Sequence, residues 1–242
     1  MLASLLDRVA LVTGSGKRLG RAVALGLAEQ GADVVIHYRS SEAEAREAVA
    51  EIEKLGRRSV ALQADLAQVS ELPRLFQKVQ ANFGRLDILV NSAANFLQTD
   101  FASTTEKVWD ASLDTNLKAV FFCCQAASPL LKKSNGAIIN FADIGGILGW
   151  PGFMPHSISK AGIIMLTRCL AKELAPEIRV NAIAPGTITM PGDLPELEAD
   201  FVKLAPLHRS GRPNDIVAAV SYLATAGFVT GQVLVVDGGR TL

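Results

Sequence analysis

The chain is poor in cysteine, with only Cys123, Cys124 and Cys169 in 242 residues. Two adjacent residues and one distant one give neither a metal-ligand spacing nor a disulfide framework, so no metal site and no disulfide scaffold is expected. All three lie in apolar helical stretches and are read as reduced core residues. Neither sign of charge dominates, since 24 basic residues balance 24 acidic ones. No basic run offers a surface to nucleic acid or to anionic lipid, and neither partner is expected. No apolar run reaches the length of a membrane span, and the start, MLASLLDRVALVTG, has no basic region ahead of a cleavage site. Linkers, repeats and low-complexity segments are missing too. The expectation is a cytoplasmic globular protein with a single domain over residues 1–242.

What is present is an alternation of short β-branched runs with longer helical patterns. RVALVTG, ADVVIHY, RSVALQAD, LDILVNSA, GAIINFAD, IRVNAIAPG and QVLVVDGG read as strands. Between them lie helical patterns, including a long region over 104–133, a helix carrying Lys160 and a short stretch near 194–204. Strands that are apolar without alternation, each followed by a crossover helix, indicate a parallel sheet covered on both faces. Right-handed crossovers make this an α/β, doubly wound, Rossmann-type fold.

Ligands in such a sheet bind beyond the C-terminal strand ends. After the first strand comes TGSGKRLG, where Gly14, Gly16 and Gly20 allow a tight turn and close approach of backbone N–H groups to a pyrophosphate. Lys17 is not followed by Ser or Thr, so this is not a P-loop. After the second strand, HYRSSEAE offers Arg39 and Ser40 where an NAD-binding chain usually has an acid. Arg39 can fork onto a 2′-phosphate and Ser40 can donate to it, with Arg18 approaching from the other side. The expected cofactor is NADP(H).

With these residues in view, the chain resembles the short-chain dehydrogenase/reductase family over essentially its whole length. TGSGKRLG is similar to the family's glycine-rich turn, NSAA at 91–94 to its Asn-Asn-Ala-Gly segment, and APG at 184–186 and TGQVLVVDGG to later motifs. The resemblance implies that Asp65 contacts adenine and that Asn116 is the structural asparagine of a catalytic tetrad. It extends cofactor contacts to Leu19, Tyr38 and Leu66, to Asn91, Ser92 and Ala93, and to Pro185 and Gly186. Within the family the chain looks most like pteridine reductases. Those share Lys-Arg-Leu-Gly in the first turn, a His-Tyr…Arg-Ser segment, an aspartate at the position of Asp143 and a phenylalanine at that of Phe96. This resemblance implies a pterin or dihydrofolate-like substrate contacted by Arg18 and Asp143 and stacked on Phe96. It also implies a homo-oligomer, dimer or tetramer, and a substrate lid over 187–209.

One position departs from the family. Its proton donor is a tyrosine four residues before the lysine, whereas here Lys160 is preceded by His156. The only tyrosines, Tyr38 and Tyr222, lie elsewhere. A spacing of four puts His156 and Lys160 on one helix face, where Lys160 disfavours imidazolium. Asp143 would favour it, so an Asp143–His156 pair is expected to deliver the proton. Three functions stay open: an NADPH-dependent pterin reductase, a relative acting on a ketone or hydroxy compound, and an NADP(H)-binding protein with impaired catalysis.

Overall fold

A computed structural model describes residues 4–190, 192–193 and 201–242. Its strands are β1 (Val9–Val12), β2 (Asp33–Tyr38), β3 (Ser59–Gln63), β4 (Ile88–Asn91), β5 (Ala137–Phe141), β6 (Arg179–Pro185) and β7 (Val233–Val236). They form one seven-stranded sheet in the order β3-β2-β1-β4-β5-β6-β7, and every neighbouring pair is parallel. The expected doubly wound fold is the one observed.

The reason the strands are continuously apolar is visible in the two cores. Alternate residues of a strand point to opposite faces. Leu11, Val35, Leu89 and Ile138 face one core, while Ala10, Val12, Val34 and Ile88 face the other. Helices α3 (Leu72–Phe83), α5 (Ala119–Ser134) and α7 (Met154–Glu173) cover the first face with Leu75, Val79, Cys123, Leu131 and Ile163. Helices α1 (Arg18–Glu29), α2 (Glu42–Lys54) and α8 (Pro213–Thr225) cover the second with Val23, Leu27, Ile52, Ile216 and Val220.

Three sequence expectations need correction. The helical region over 104–133 is not continuous: α4 (Glu106–Leu113) passes through a π-helical stretch, Asp114–Lys118, into α5. A short helix, α6 (Gly145–Leu148), follows β5 where none was expected. Cys123 and Cys124 are buried, but Cys169 is exposed, because α7 is apolar beyond its covered face. Of the helical stretch expected near 194–204, residues 201–204 are helical and 194–200 lie outside the described residues, as do those positions of the lid expected over 187–209. No helix among the described residues is long and apolar enough to cross a membrane.

Candidate active site

The sheet order reverses at β1, whose neighbours are β2 and β4, and there a cleft of about 400 Å³ opens at the C-terminal strand ends. Three side chains hold the turn that floors it. Thr13 Oγ1 accepts the amides of Ser92 and Ala93 at 2.9 and 3.0 Å, tying the loop after β1 to the loop after β4. Ser15 donates to Val12 O and accepts from the amide of His37. His37 Nδ1 accepts the Gly14 amide at 3.0 Å, so its proton sits on Nε2, 3.1 Å from Ala64 O. Gly14 has φ +64, and a Cβ there would fall 2.9 Å from Ala93 Cα, so only glycine closes this turn.

His37 was not singled out in the sequence, where it reads as one residue of a strand. Burial pushes its pKa down to about 4 from 6.5. A base with a lowered folded pKa stabilises the fold fully above pH 6.5 and loses that contribution as pH falls toward 4. The loss at pH 4 amounts to about 3 kcal/mol. Urea melts at pH 7.5 and 4.5 should show this decline, and H37N, which can keep both hydrogen bonds, should flatten it.

The start of α1 lines the cleft, without a side-chain cap or an acid in its first turn. That is the arrangement a pyrophosphate needs. Lys17, Arg18, Leu19 and Gly20 line one wall, and Tyr38, Arg39 and Ser40 another. Asp65, Leu66, Ser92 and Ala93 complete it, with one Asp65 oxygen accepting the Ala67 amide. Arg39 is exposed and forms no ion pair among the described residues. These features fit a phosphorylated dinucleotide.

Several expected contacts fall elsewhere. Arg18 is spent on a bidentate pair with Asp193, at 2.9 and 3.0 Å, rather than left free for a phosphate or substrate. Its backbone takes φ +50, the conformation that favours glycine, at a cost of about 1 kcal/mol. The Asn91 side chain is buried away from the cleft, donating to Asn140 Oδ1 at 2.9 Å and to Cys124 Sγ, because its position in β4 turns it into the core layer. Gly16, Pro185 and Gly186 do not line the cleft. Gly16 packs on Ser41, and the Pro185 carbonyl and Gly186 amide join the chain to Ile144 and Val236.

Beside the cleft, the ends of β5 and α7 gather three ionisable groups. Lys160 is buried, and Nζ donates to Phe141 O at 2.7 Å. Its pKa is lowered to about 8 by burial, with the Asp143 carboxylate pulling the other way. Asp143 accepts the Gly145 amide at 2.6 Å, and burial raises its pKa to about 6. His156 is 3 % exposed. Its Nδ1 lies 3.3 Å from Asn95 O, which can only accept, and 3.5 Å from Asn116 Nδ2, which can only donate; the shorter contact assigns the ring proton to Nδ1. Nε2 therefore carries a lone pair, is buried and has no hydrogen-bond partner.

This corrects the expected Asp143–His156 ion pair. Asp143 Oδ2 and His156 Nε2 are 4.0 Å apart, beyond hydrogen-bond length. Burial, and then the Lys160 charge, push the histidine down to about 4. His156 is neutral at pH 7, and the group poised to give up a proton near neutrality is Asp143. Asn116, buried in the π-helical stretch, exchanges two hydrogen bonds with the Asn95 backbone at 2.8 and 3.0 Å. It is a positioning residue, because it fixes the carbonyl that fixes the His156 tautomer. Phe96 stacks on Phe153 with centroids 4.3 Å apart and lies edge to face with the His156 ring, centroids 4.7 Å apart.

Comparison with known proteins decides the family. The family described as enoyl-(acyl carrier protein) reductase matches residues 14–241. The chain belongs to the short-chain dehydrogenase/reductase family. It is 41 % identical over 241 residues to the 3-oxoacyl-(acyl-carrier-protein) reductase FabG of Staphylococcus aureus strain Mu50, covering 97 % of this chain and 98 % of that one. It is 40 % identical over 252 residues to 3beta-hydroxysteroid dehydrogenase 1 of Eggerthella lenta, covering 100 % and 97 %. A solved structure assigned as a short-chain alcohol dehydrogenase of Sinorhizobium meliloti 1021 superposes with a TM-score of 0.93 at 36 % identity, covering 98 % of both chains. These full-length relatives are named for a 3-oxoacyl or a hydroxysteroid substrate, and that overturns the pterin expectation. Arg18, one of the residues that suggested a pterin, has other work here, since it pairs with Asp193.

Proposed function

We propose that this short-chain dehydrogenase/reductase interconverts a ketone and its secondary alcohol with NADP(H). The observation that carries the reading is the buried, unpartnered Nε2 of His156, 4.0 Å from Asp143 Oδ2. A buried lone pair without a donor is costly, and a substrate hydroxyl would satisfy it. A bound nicotinamide supplies the hydride. The chain's own groups manage position and proton. The uncapped N-terminus of α1 holds the pyrophosphate, Arg39 the 2′-phosphate and Asp65 the adenine, while Lys160 faces the ribose. In the reducing direction the Asp143 carboxyl releases its proton to the nascent alkoxide, and His156 Nε2 accepts the hydrogen bond of the alcohol that results. In the oxidising direction the Asp143 carboxylate receives the hydroxyl proton, while His156 Nε2 holds the alcohol by its hydrogen bond until that transfer.

The test is NADPH oxidation by the purified protein with 2-decalone, ethyl acetoacetate and acetoacetyl-CoA, beside calorimetric NADPH binding. Turnover of any of them supports the reading. Tight NADPH binding with no turnover of all three favours a cofactor-binding protein instead, which the missing tyrosine would explain. Because Asp143 must carry the proton, kcat for reduction should be highest below pH 6 and fall about tenfold per pH unit above it. A flat profile between pH 5 and 8 would remove Asp143 from the proton path.

Arg39 decides the cofactor. R39A should weaken NADPH binding roughly 10–100-fold, the value of a charge-assisted contact, while NADH binding changes less than about twofold. Equal loss for both cofactors would count against the 2′-phosphate role. The same reading expects a homo-oligomer, since Phe121 on α5 and Ile158 and Met165 on α7 leave apolar side chains exposed. Light scattering would report a dimer or tetramer.

A further inference from the structure

The rim of the candidate active site is unusually apolar. Phe96, Ile147, Leu148 and Met154 are between 39 % and 57 % exposed, a cost that a surface bears when it serves binding. Phe96, Trp150, Phe153 and the His156 ring form one cluster. Phe96 lies parallel to Phe153, and Trp150 lies parallel to His156, at 6.4 Å and 6°. The two pairs meet edge to face, Phe96 with Trp150 at 89° and Phe96 with His156 at 88°. A wall of ring faces and edges therefore runs from solvent to the His156 ring, whose Nε2 is buried without a partner. Such walls favour flat or cyclic hydrocarbon over an extended polar chain.

Charge sharpens the choice. The backbone bridge of Thr99 to Phe153, with the Thr99 amide 2.8 Å from Gly152 O, sets Asp100 beside the aromatic wall. Asp100 is exposed and makes no ion pair among the described residues. Asp143 lies at the inner end. Among the cations, Arg18 is paired with Asp193, and Lys160 is buried against Phe141 O. Among the described residues, these elements thus present carboxylates and no free cation to the rim, which disfavours an anionic substrate.

We propose that the substrate is a neutral apolar ketone or secondary alcohol built on a ring system, seated on Phe96, Trp150 and Phe153, and that anionic thioesters are discriminated against. The inference rests on the ketone–alcohol reading and narrows it. With NADPH, kcat/KM for 2-decalone should exceed that for acetoacetyl-CoA at least tenfold. F96A should lower kcat/KM for 2-decalone, through KM, about tenfold more than for acetoacetyl-CoA. Preference for acetoacetyl-CoA, or equal losses in F96A, overturns the proposal.

A binding measurement separates this proposal from the reading beneath it. Trp109 and Trp150 are the only tryptophans, so W109F leaves Trp150 as the sole reporter. If no ketone is turned over, a saturable change in Trp150 fluorescence with 2-decalone, weakened about tenfold by F96A, still supports the apolar ring site. No saturable change up to the solubility limit of 2-decalone overturns it.

Discussion

The H156Y variant is expected to reduce ketones at least about 10²-fold faster than the parent protein at pH 7.5. At that pH the native site has little acid to offer. His156 is neutral because burial and the Lys160 charge hold it near 4. Asp143, raised to about 6, is mostly ionised. A phenol at position 156 brings a donor that stays protonated well above neutrality, and the buried Lys160 on the same helix face lowers its pKa toward a useful range. The gain should grow with pH, since the parent loses activity as Asp143 ionises while the variant does not. Steady-state kcat for 2-decalone between pH 5.5 and 8.5, with NADPH binding measured alongside, checks this. An unchanged rate with intact cofactor binding would mean that the missing tyrosine does not limit the native site.

D143N is expected to lower kcat about 10²-fold at pH 6 and to abolish the fall in rate above that pH. Asparagine keeps the shape of the side chain and can still accept the Gly145 amide, which now donates to Asp143 Oδ1 at 2.6 Å. It cannot release a proton. Folding should therefore survive while the proton path is lost, and the NADPH dissociation constant should stay within about twofold. In the H156Y background the same change should cost far less than 10²-fold, because two acids that serve one proton transfer are not additive. Additive losses would show that Asp143 acts through structure rather than as a donor.

Much of the candidate site was legible before any fold was known. The glycines of TGSGKRLG, the unacidic end of β2 at Arg39 and the spacing of His156 and Lys160 each follow from local chemistry. A turn needs φ > 0 at Gly14, a strand end either carries an acid or does not, and four residues make one helical turn. The parallel sheet was legible for a similar reason. Strands buried on both faces leave no polar alternation, and β1, β2, β4 and β5 have none.

The errors share a different origin. The family resemblance put Asn91 among the cofactor contacts, yet its strand register turns it onto Asn140 and Cys124. Arg18 looked free for a phosphate until Asp193, 175 residues away, met it.

The protonation states needed the fold most of all. From sequence, Asp143 beside His156 implied an ion pair that would keep the imidazole charged. In the folded chain the two stop 4.0 Å apart, and His156 lies 3 % exposed above a buried lysine. Residue type and spacing determine which groups a site can contain, because they are fixed by covalent geometry. Tertiary packing decides which of those groups holds the proton, because desolvation and the distance to each charge exist only once the chain has folded.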